Sequence, residues 1–310
     1  MKKVFVVDDE KRLTGLMQEK LGPMGYEVHA HNAYPGAFEK AKQIKPNVAI
    51  LDVMLGNGAG YQVSRQIRSD PLLYQTPILF ISSLGEKREM EYAFQQGADS
   101  YLAKPFSLPE LLDRLKRLEQ LENSLQRRDA LTNLGGIEWM EREVDHRLIR
   151  GQAFALCYLN IDEYHAYVAR YGQEKGNEVI CFLGQLVQQE LKDLQEYEVG
   201  LSHMGGGHFF LLCPVEKYER ICKHLTHRFA QEVVQFYSEH EAEQGYMVAT
   251  RHKGTYTAYP LMSLRVCVAH TDHKDYPCAR EMLHKLRAMH GHTRKEDKHL
   301  VFTYKQGKKW

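Results

Sequence analysis

The stretch Val4-Phe5-Val6-Val7-Asp8-Asp9, near the start of this 310-residue chain, decides the fold of its first third. Four apolar residues are followed at once by two acids, a pattern typical of a short buried strand that ends in polar side chains. The apolar run is far shorter than the roughly 18 residues of a membrane span. The acids that follow it also argue against a signal peptide. We therefore interpret it as a first β-strand with two aspartates at its carboxyl end.

Similar short apolar runs recur along residues 1 to 105 and alternate with helical patterns. The predicted strands are 4–7, 28–30, 48–51, 77–82 and 100–102, and the predicted helices are 11–22, 35–44, 59–69 and 86–96. Such an alternation predicts an α/β fold with a doubly wound, five-stranded parallel sheet. In that architecture ligands bind at the carboxyl ends of the strands.

Polar side chains follow several of these strands, namely Asp8, Asp9, Asp52, Ser82 and Lys104. The predicted sheet would bring them to one edge. Three carboxylates repel one another unless a cation lies among them, and Mg²⁺ favours carboxylate and phosphate oxygens. A carboxylate held there can attack a phosphoryl donor and become an aspartyl phosphate. Ser82 and Lys104 would then bind the phosphate oxygens.

This constellation, with Leu51-Asp52-Val53 and Lys104-Pro105-Phe106, resembles the receiver domain of bacterial two-component response regulators over about the first 120 residues. The resemblance implies a flavodoxin-like fold, Asp52 as phosphoacceptor and a sensor histidine kinase as partner. It also implies Mg²⁺ as the cofactor, with Asp8, Asp9 and Asp52 as its ligands.

Three further expectations come with this resemblance. The peptide before Pro105 is expected to be cis, and Tyr101 matches the family's aromatic switch residue. Met54 stands where many members carry a polar residue, so the lifetime of the phosphoaspartate stays open.

From Ser107 the pattern becomes helical. Ser107 suits an N-cap, and Pro109 and Glu110 suit the first turn. An apolar stripe follows at three- and four-residue steps: Leu111, Leu115, Leu118, Leu121 and Leu125. One interpretation is the last helix of the first domain, and the other is a stalk that pairs with a second copy in a homodimer. We predict a receiver domain with the start of the stalk over 1–123 and a second domain over 124–310.

The second domain mixes helices, predicted over 137–150, 177–191, 217–240 and 279–290, with strands, predicted over 153–160, 198–203, 209–213, 246–252, 255–259 and 264–271, which indicates an α+β unit. The strands 246–252 and 255–259 alternate around Lys253-Gly254 and are expected to form a two-stranded flap. The stretch Gly205-Gly206-Gly207-His208-Phe209 lies between two predicted strands of a hairpin. It resembles the Gly-Gly-(Asp/Glu)-Glu-Phe turn of the diguanylate cyclases, the GGDEF family. Further landmarks of that family appear at 129–134, 160–165, 171–172 and 176–177, and the resemblance spans about residues 126–303.

The family's functional positions carry altered residues in this chain. Both anionic metal ligands are replaced, by Asn160 and Gly207, and the glutamate near the attacking hydroxyl is replaced by His208. His165 stands for a lysine, and Val168 and Asn177 stand for the two groups that read guanine. A two-metal phosphoryl-transfer site needs carboxylates. The resemblance therefore implies a degenerate GGDEF domain, inactive as a cyclase and serving as a protein-interaction output towards an unknown downstream protein.

Other functions are left open with less support. The degenerate domain could sense GTP or cyclic di-GMP, or retain residual cyclase activity. The segment 196–199 lacks the arginine of the family's inhibitory product site. A further hypothesis places His165, His203 and His208 together in a metal, anion or pH-sensitive site.

Composition adds little about partners. The net charge of +1 gives no electrostatic argument for a nucleic acid or a membrane, and the basic tail with Lys305, Lys308 and Lys309 is interpreted as a solvated terminus. The six cysteines are scattered, which favours reduced core thiols. We expect a cytoplasmic protein.

Overall fold

The computed structural model describes residues 1–55, 60–83, 87–193, 199–251, 255–272, 276–293 and 301–304. It divides into two compact units. The first comprises residues 1–127 and 148–151, and the second comprises residues 128–147 and 152–310. Each unit is described separately below.

The first unit alternates strands and helices. Its elements are β1 (Lys2–Val7), α1 (Lys11–Leu21), β2 (Tyr26–His31), α2 (Ala37–Ile44), β3 (Val48–Asp52), α3 (Gly60–Ser69), β4 (Ile78–Ser82), α4 (Lys87–Gln95), β5 (Ser100–Ala103) and α5 (Leu108–Gln126). All five strands are parallel, in the order β2-β1-β3-β4-β5. The predicted doubly wound sheet is confirmed.

Both faces of this sheet are buried, which explains its continuous apolar strands. Successive side chains of β1 point to opposite faces, so Phe5 and Val7 join one core cluster while Val4 and Val6 join the other. Polar side chains are therefore excluded from the body of the strand. They collect where the strand ends, at Asp8.

The helix α5 belongs to the first unit along nearly its whole length. Ser107 and Glu110 form a capping box at its start, and its leucine stripe packs into the core. Glu119 accepts a hydrogen bond from the Tyr26 hydroxyl, and Glu122 accepts one from the Asn47 amide. The helix is thus held to the unit as far as Glu122 and ends four residues later, which favours the interpretation as the last helix of the first domain over that of a stalk. Pairing of two copies through this helix stays a prediction.

Arg68 on α3 is a buried charge whose partners lie on several parts of this unit. Its guanidinium donates to the carbonyls of Thr76 (2.6 Å) and Gly97 (2.8 Å) and to Asp99 Oδ2 (2.7 Å). We expect Arg68→Met to lower the free energy of unfolding by about 3–5 kcal/mol, because Asp99 and the buried carbonyls lose their donor. Urea denaturation checks this, with Arg65→Met as the matched control on the exposed side of the same helix. Equal stability of the two variants would refute the prediction.

The second unit is built around a mixed sheet. Its elements are α6 (Ile137–Ile149), β6 (Ala155–Asp162), α7 (Tyr164–Tyr171), α8 (Gln173–Asp193), β7 (Gly200–His203), β8 (His208–Cys213), α9 (Tyr218–Glu232), α10 (Glu239–Gln244), β9 (Tyr246–Arg251), β10 (Thr255–Pro260), β11 (Ser263–His270), α11 (Ala279–Thr293) and β12 (Val301–Thr303). The sheet order is β12-β11-β6-β8-β7. Strands β11, β6, β8 and β7 pair antiparallel, while β12 runs parallel to β11.

The elements of the second unit differ from the sequence-based prediction in three places. The helix α7 was missed, because it has eight residues and starts after Glu163 in a left-handed conformation (φ 61°), without a side-chain cap. The three-residue strand β12 was also missed. The helix expected over 217–240 is instead α9, a 3₁₀ turn and α10. Strands β9 and β10 form the predicted flap, whose turn at Lys253-Gly254 lies outside the described residues.

Candidate functional site

Three aspartates converge at the carboxyl edge of the first sheet. Asp52 ends β3, Asp8 follows the neighbouring strand β1, and Asp9 comes next along the chain. One carboxylate oxygen from each lies within 4.8 Å of the others. Asp8 is fully buried and Asp52 nearly so, whereas Asp9 is exposed. Within the described ranges, no other three acidic, histidine or cysteine side chains converge in this way.

Lys104 bridges two of these carboxylates. Its Nζ lies 2.8 Å from Asp8 Oδ2 and 2.7 Å from Asp52 Oδ2. Its backbone N–H donates to the carbonyl of Ser82, and the Lys104–Pro105 peptide is cis. The lysine therefore supplies a positive charge in contact with this carboxylate pair, at the position expected from the sequence.

Backbone groups fix the orientation of the same two carboxylates. The N–H of Glu10 donates to Asp8 Oδ1 (2.9 Å), and the N–H of Met54 donates to Asp52 Oδ1 (2.8 Å). Burial raises the pKa of Asp8, although Lys104 and the Glu10 amide partly offset this effect. Burial alone would lower the pKa of Lys104, but its hydrogen bonds to Asp52 and Asp8 raise it overall. The ionised cluster is therefore short of positive charge.

The donor set of this cluster fits Mg²⁺. All three groups offer hard carboxylate oxygens, and this ion takes one or two carboxylates together with water and phosphate oxygens. Asp8, Asp9 and Asp52 would hold it, and when bound it would draw in the oxygens of a phosphoryl donor and offset their charge. Asp52 would then be the carboxylate beside the incoming phosphorus, a role that stays a prediction, and Lys104 already contacts it.

Ser82 and Tyr101 lie on the next two strands of the sheet. Ser82 ends β4 and is fully buried. Ile81 pairs with Asp52, so Ser82 lies one residue beyond the level of Asp52. Tyr101 on β5 is 4% exposed, so its ring points inward. Burial and the nearby phenol of Tyr101 raise the pKa of Tyr61 to about 12. Met54 is half exposed beside Asp52, where it can limit the access of water.

The second unit contains a row of polar side chains across three strands. Asn160 on β6 lies opposite His208 on β8 and opposite Arg265 on β11. Directly opposed residues point to the same face of a sheet, so these three side chains share a face. Asp162, two residues after Asn160, shares it as well.

Two side chains of this row bind its one carboxylate, that of Asp162. Asn160 Nδ2 donates to Asp162 Oδ1 (2.9 Å), and Arg265 Nε donates to Asp162 Oδ2 (2.7 Å). All three residues are less than a tenth exposed. Both oxygens of Asp162 are thus engaged by neighbouring side chains. Arg265 was not anticipated from the sequence, because no motif marks it and only the strand register places it beside Asp162.

The glycine-rich turn offers no carboxylate to this row. The carbonyl of Gly207 accepts the N–H of Ile161, and a β-carbon built on Gly207 would lie 3.0 Å from that of Ile161. The Nδ1 atom of His208 lies 2.8 Å from the Tyr158 hydroxyl, and the two rings stack. An amide, a glycine and an imidazole are poor substitutes for the hard anionic ligands that Mg²⁺ requires, so these residues do not fit a two-metal centre.

The remaining predicted positions lie on α7 and α8. The Cγ2 atom of Val168 lies 2.6 Å from a β-carbon built on Gly176, so an apolar side chain covers this glycine. Asn177 accepts a hydrogen bond from Gln173 on its own helix. His165 is exposed. The segment Glu196-Tyr197-Glu198 of the expected product site lies outside the described residues, as does the basic tail.

The hypothesis of a shared histidine site is wrong. His203 pairs with Phe209 in the hairpin register, so the two side chains share one face of the sheet. His208 precedes Phe209 on the same strand and therefore points to the opposite face. His203 contacts Asp129 instead, with Nδ1 3.1 Å from Oδ1. Among the described residues, the aspartates of the first unit form the one candidate metal cluster.

The contact between His203 and Asp129 yields a pH prediction. Burial would raise the pKa of Asp129, but hydrogen bonds from Thr132 and the charge of nearby His203 outweigh this effect and hold that pKa below its usual value. The stabilisation is therefore complete above the unfolded pKa and is lost as pH falls through the folded value. We expect Asp129→Asn to lower the free energy of unfolding by about 1 kcal/mol at pH 7, with a smaller difference in acid. Urea denaturation from pH 3 to 7 checks this, with exposed Asp113→Asn as control; a pH-independent difference would contradict it.

Comparison with known families decides what the two units are. Residues 4–116 match the family model described as the response regulator receiver domain. Residues 126–274 match that of the diguanylate cyclase, GGDEF domain. The chain carries a receiver domain followed by a GGDEF domain. The family resemblances inferred from the sequence are thereby confirmed at this level.

Similar proteins match over part of the chain. The chain is 28% identical over 178 residues (56% of this chain, 73% of the relative) to the DNA-binding dual master transcriptional regulator RpaA of Synechocystis. It is 37% identical over 117 residues (38% and 48%) to the alkaline phosphatase synthesis regulator PhoP of Bacillus subtilis. The chain spans about half the length of most of the curated relatives it matches.

Solved structures match over a similar share of this chain. Chemotaxis protein CheY4 of Vibrio cholerae is 29% identical with a TM-score of 0.37, and the alignment covers 38% of this chain and 98% of that one. The activated receiver domain of Klebsiella pneumoniae RstA is 26% identical with a TM-score of 0.36, over 38% and 98%. None of the helices in the described residues is long and apolar enough to cross a lipid bilayer.

Proposed function

We propose that this chain is a response regulator whose receiver domain accepts a phosphoryl group on Asp52 and whose GGDEF domain acts by contact instead of catalysis. In this proposal a sensor histidine kinase supplies the phosphoryl group, with Mg²⁺ held by Asp8, Asp9 and Asp52. The signal passes to a downstream protein or to a second copy of the chain. The cytoplasmic location expected from the sequence stays a prediction.

The phosphoacceptor half of the proposal is supported by the lysine bridge. Lys104 lies within 2.8 Å of both Asp8 and Asp52, and it can transfer from these carboxylates to a phosphate on Asp52 without moving far. Ser82, at the adjacent strand end, is placed to bind a second oxygen of that phosphate. The switch role of Tyr101, whose side chain is buried on β5, is part of the same proposal.

The non-catalytic half is supported by one observation above the others, the closed arrangement of Asp162. Phosphoryl transfer by this family's chemistry depends on cations held by carboxylates. The one carboxylate of the polar row already has both oxygens bound by Asn160 and Arg265. In addition, Val168 covers Gly176 with an apolar side chain that offers no hydrogen bond to a base edge. These features of the described residues favour a role in protein contact.

The experiment compares the association state of the full chain with and without a phosphoryl mimic. Beryllofluoride and Mg²⁺ are added to the wild type, to Asp52→Asn and to the control Glu39→Gln, an exposed acid on α2. Light scattering after size exclusion then reports self-association, and capture of binding proteins reports partner exchange. The proposal expects a change in the wild type and in Glu39→Gln but not in Asp52→Asn. Identical behaviour of all three proteins would exclude it.

A further inference from the structure

An arginine of β11 lies beside the carboxyl end of β6, at the place where this family's chemistry calls for a cation. Arg265, the third residue of β11, is 7% exposed and lies directly opposite Asn160. A buried guanidinium is costly to desolvate unless its donors are satisfied. Its contacts therefore indicate what it does.

Arg265 connects three elements at this end of the sheet. Its Nε donates to Asp162 Oδ2 on β6, and its Nη1 donates to the carbonyl of Thr293 at the end of α11. Its guanidinium also lies 5.6 Å from the centre of the Phe302 ring on β12. One side chain thus offsets the charge of Asp162 and holds the last helix and the edge strand in place.

We propose that Arg265 is a built-in counter-ion that replaces a divalent cation at the end of β6, so that the second unit is closed to metal by a residue outside the family motifs. A bound ion would neutralise the carboxylate of Asp162 but could dissociate. Arg265 is part of the chain and cannot dissociate, and it adds contacts to α11 and β12 that an ion could not make. Loss of metal binding in this domain is therefore enforced by an added cation as well as by the missing anions.

A consequence separates this proposal from the simpler explanation of missing ligands alone. If only the ligands were missing, restoring the first carboxylate with Asn160→Asp would be enough to attract a divalent ion beside Asp162. With Arg265 as counter-ion, the restored carboxylate pairs with the guanidinium instead. Metal binding then requires that Arg265 be removed as well.

The test uses the full chain with Asp8, Asp9 and Asp52 changed to asparagine, so that the receiver site does not bind the probe. Mn²⁺ binding is followed by the electron paramagnetic resonance signal of the free ion. We expect no binding for this background or for its Asn160→Asp variant. We expect a dissociation constant on the order of 1 mM or below for Asn160→Asp with Arg265→Gln. The control protein carries Asn160→Asp with Arg220→Ser, a change of an exposed arginine on α9, in place of Arg265→Gln. This control is expected not to bind Mn²⁺.

Equal Mn²⁺ affinity with and without Arg265 would overturn the proposal, as would a folded double variant that binds no Mn²⁺. If that variant does not fold, melting temperatures decide. Arg265→Gln alone is expected to melt about 10 °C below wild type, because Asp162 keeps a buried charge, and adding Asp162→Asn should recover part of the loss. No recovery would also overturn it. The inference rests on the proposed loss of catalysis, but the two can fail separately. GTP turnover by the unmodified chain would refute the non-catalytic function, whereas the Mn²⁺ affinities of the variants test the role of Arg265.

Discussion

Replacing Asp52 with asparagine is expected to abolish labelling of the chain by a small phosphodonor such as acetyl phosphate. The reaction needs an anionic oxygen that attacks phosphorus, and an amide lacks it. Asp8, although close, is fully buried and is held by Lys104 and the Glu10 amide. The label in Asp52→Asn should therefore fall below about one hundredth of the wild-type level.

The measurement is intact-protein mass spectrometry after incubation with acetyl phosphate and Mg²⁺. Removal of Mg²⁺ with a chelator should lower wild-type labelling as well, because the three carboxylates then repel the incoming phosphate. Asp113→Asn, an exposed acid on α5, is the control and should label normally. The Asp52→Asn protein should keep its melting temperature within a few degrees, since Lys104 still pairs with Asp8. Persistent labelling of a folded Asp52→Asn protein would move the phosphoacceptor elsewhere.

The first domain could be predicted almost completely from its sequence, and the reason is physical. A parallel sheet buried on both faces forces polar residues to the strand ends, so the order of Asp8, Asp52, Ser82 and Lys104 along the chain also fixes where they meet. The helix α5 was harder to predict. Its leucine stripe is compatible with a stalk, and only the polar contacts of Glu119 and Glu122, made to distant strands and loops, reveal that it lies along the domain.

The second domain shows what a sequence motif leaves out. The resemblance implies that Asn160 and Gly207 stand where the family carries anionic ligands. The pairing of Arg265 with Asp162, in contrast, joins residues 103 positions apart. That contact depends on the register of β11 against β6, which no local pattern reveals. The histidine hypothesis failed for a related reason. His203 and His208 are close in sequence, but the hairpin register turns them to opposite faces of the sheet.

The second large expected effect concerns turnover. Incubation of the full chain with GTP and Mg²⁺ or Mn²⁺ should yield no detectable cyclic dinucleotide. We expect a turnover rate at least about 10⁴-fold below that of an enzyme that turns over once per second. Metal-held phosphates and positioning supply most of the rate enhancement in phosphoryl transfer, and the described residues around the glycine-rich turn offer one carboxylate, already paired. Chromatography of the nucleotides, with and without acetyl phosphate, measures the product. Turnover that disappears in Asp162→Ala would contradict the expectation and assign residual activity to this site.

Restoring the family residues at the turn should not rescue this activity. In the variant Asn160→Asp, Gly207→Asp, His208→Glu, the new side chain at 207 starts 3.0 Å from the β-carbon of Ile161, closer than ordinary van der Waals contact. The strand must then shift, or the carboxylate will point away from the row. The carboxylate introduced at position 160 lies opposite Arg265 and pairs with its guanidinium instead of with an ion. Two independent obstacles, one steric and one electrostatic, thus remain after the motif is repaired, and only a variant that also changes Arg265 removes the second. Dinucleotide synthesis by the three-residue variant alone would mean that neither obstacle matters.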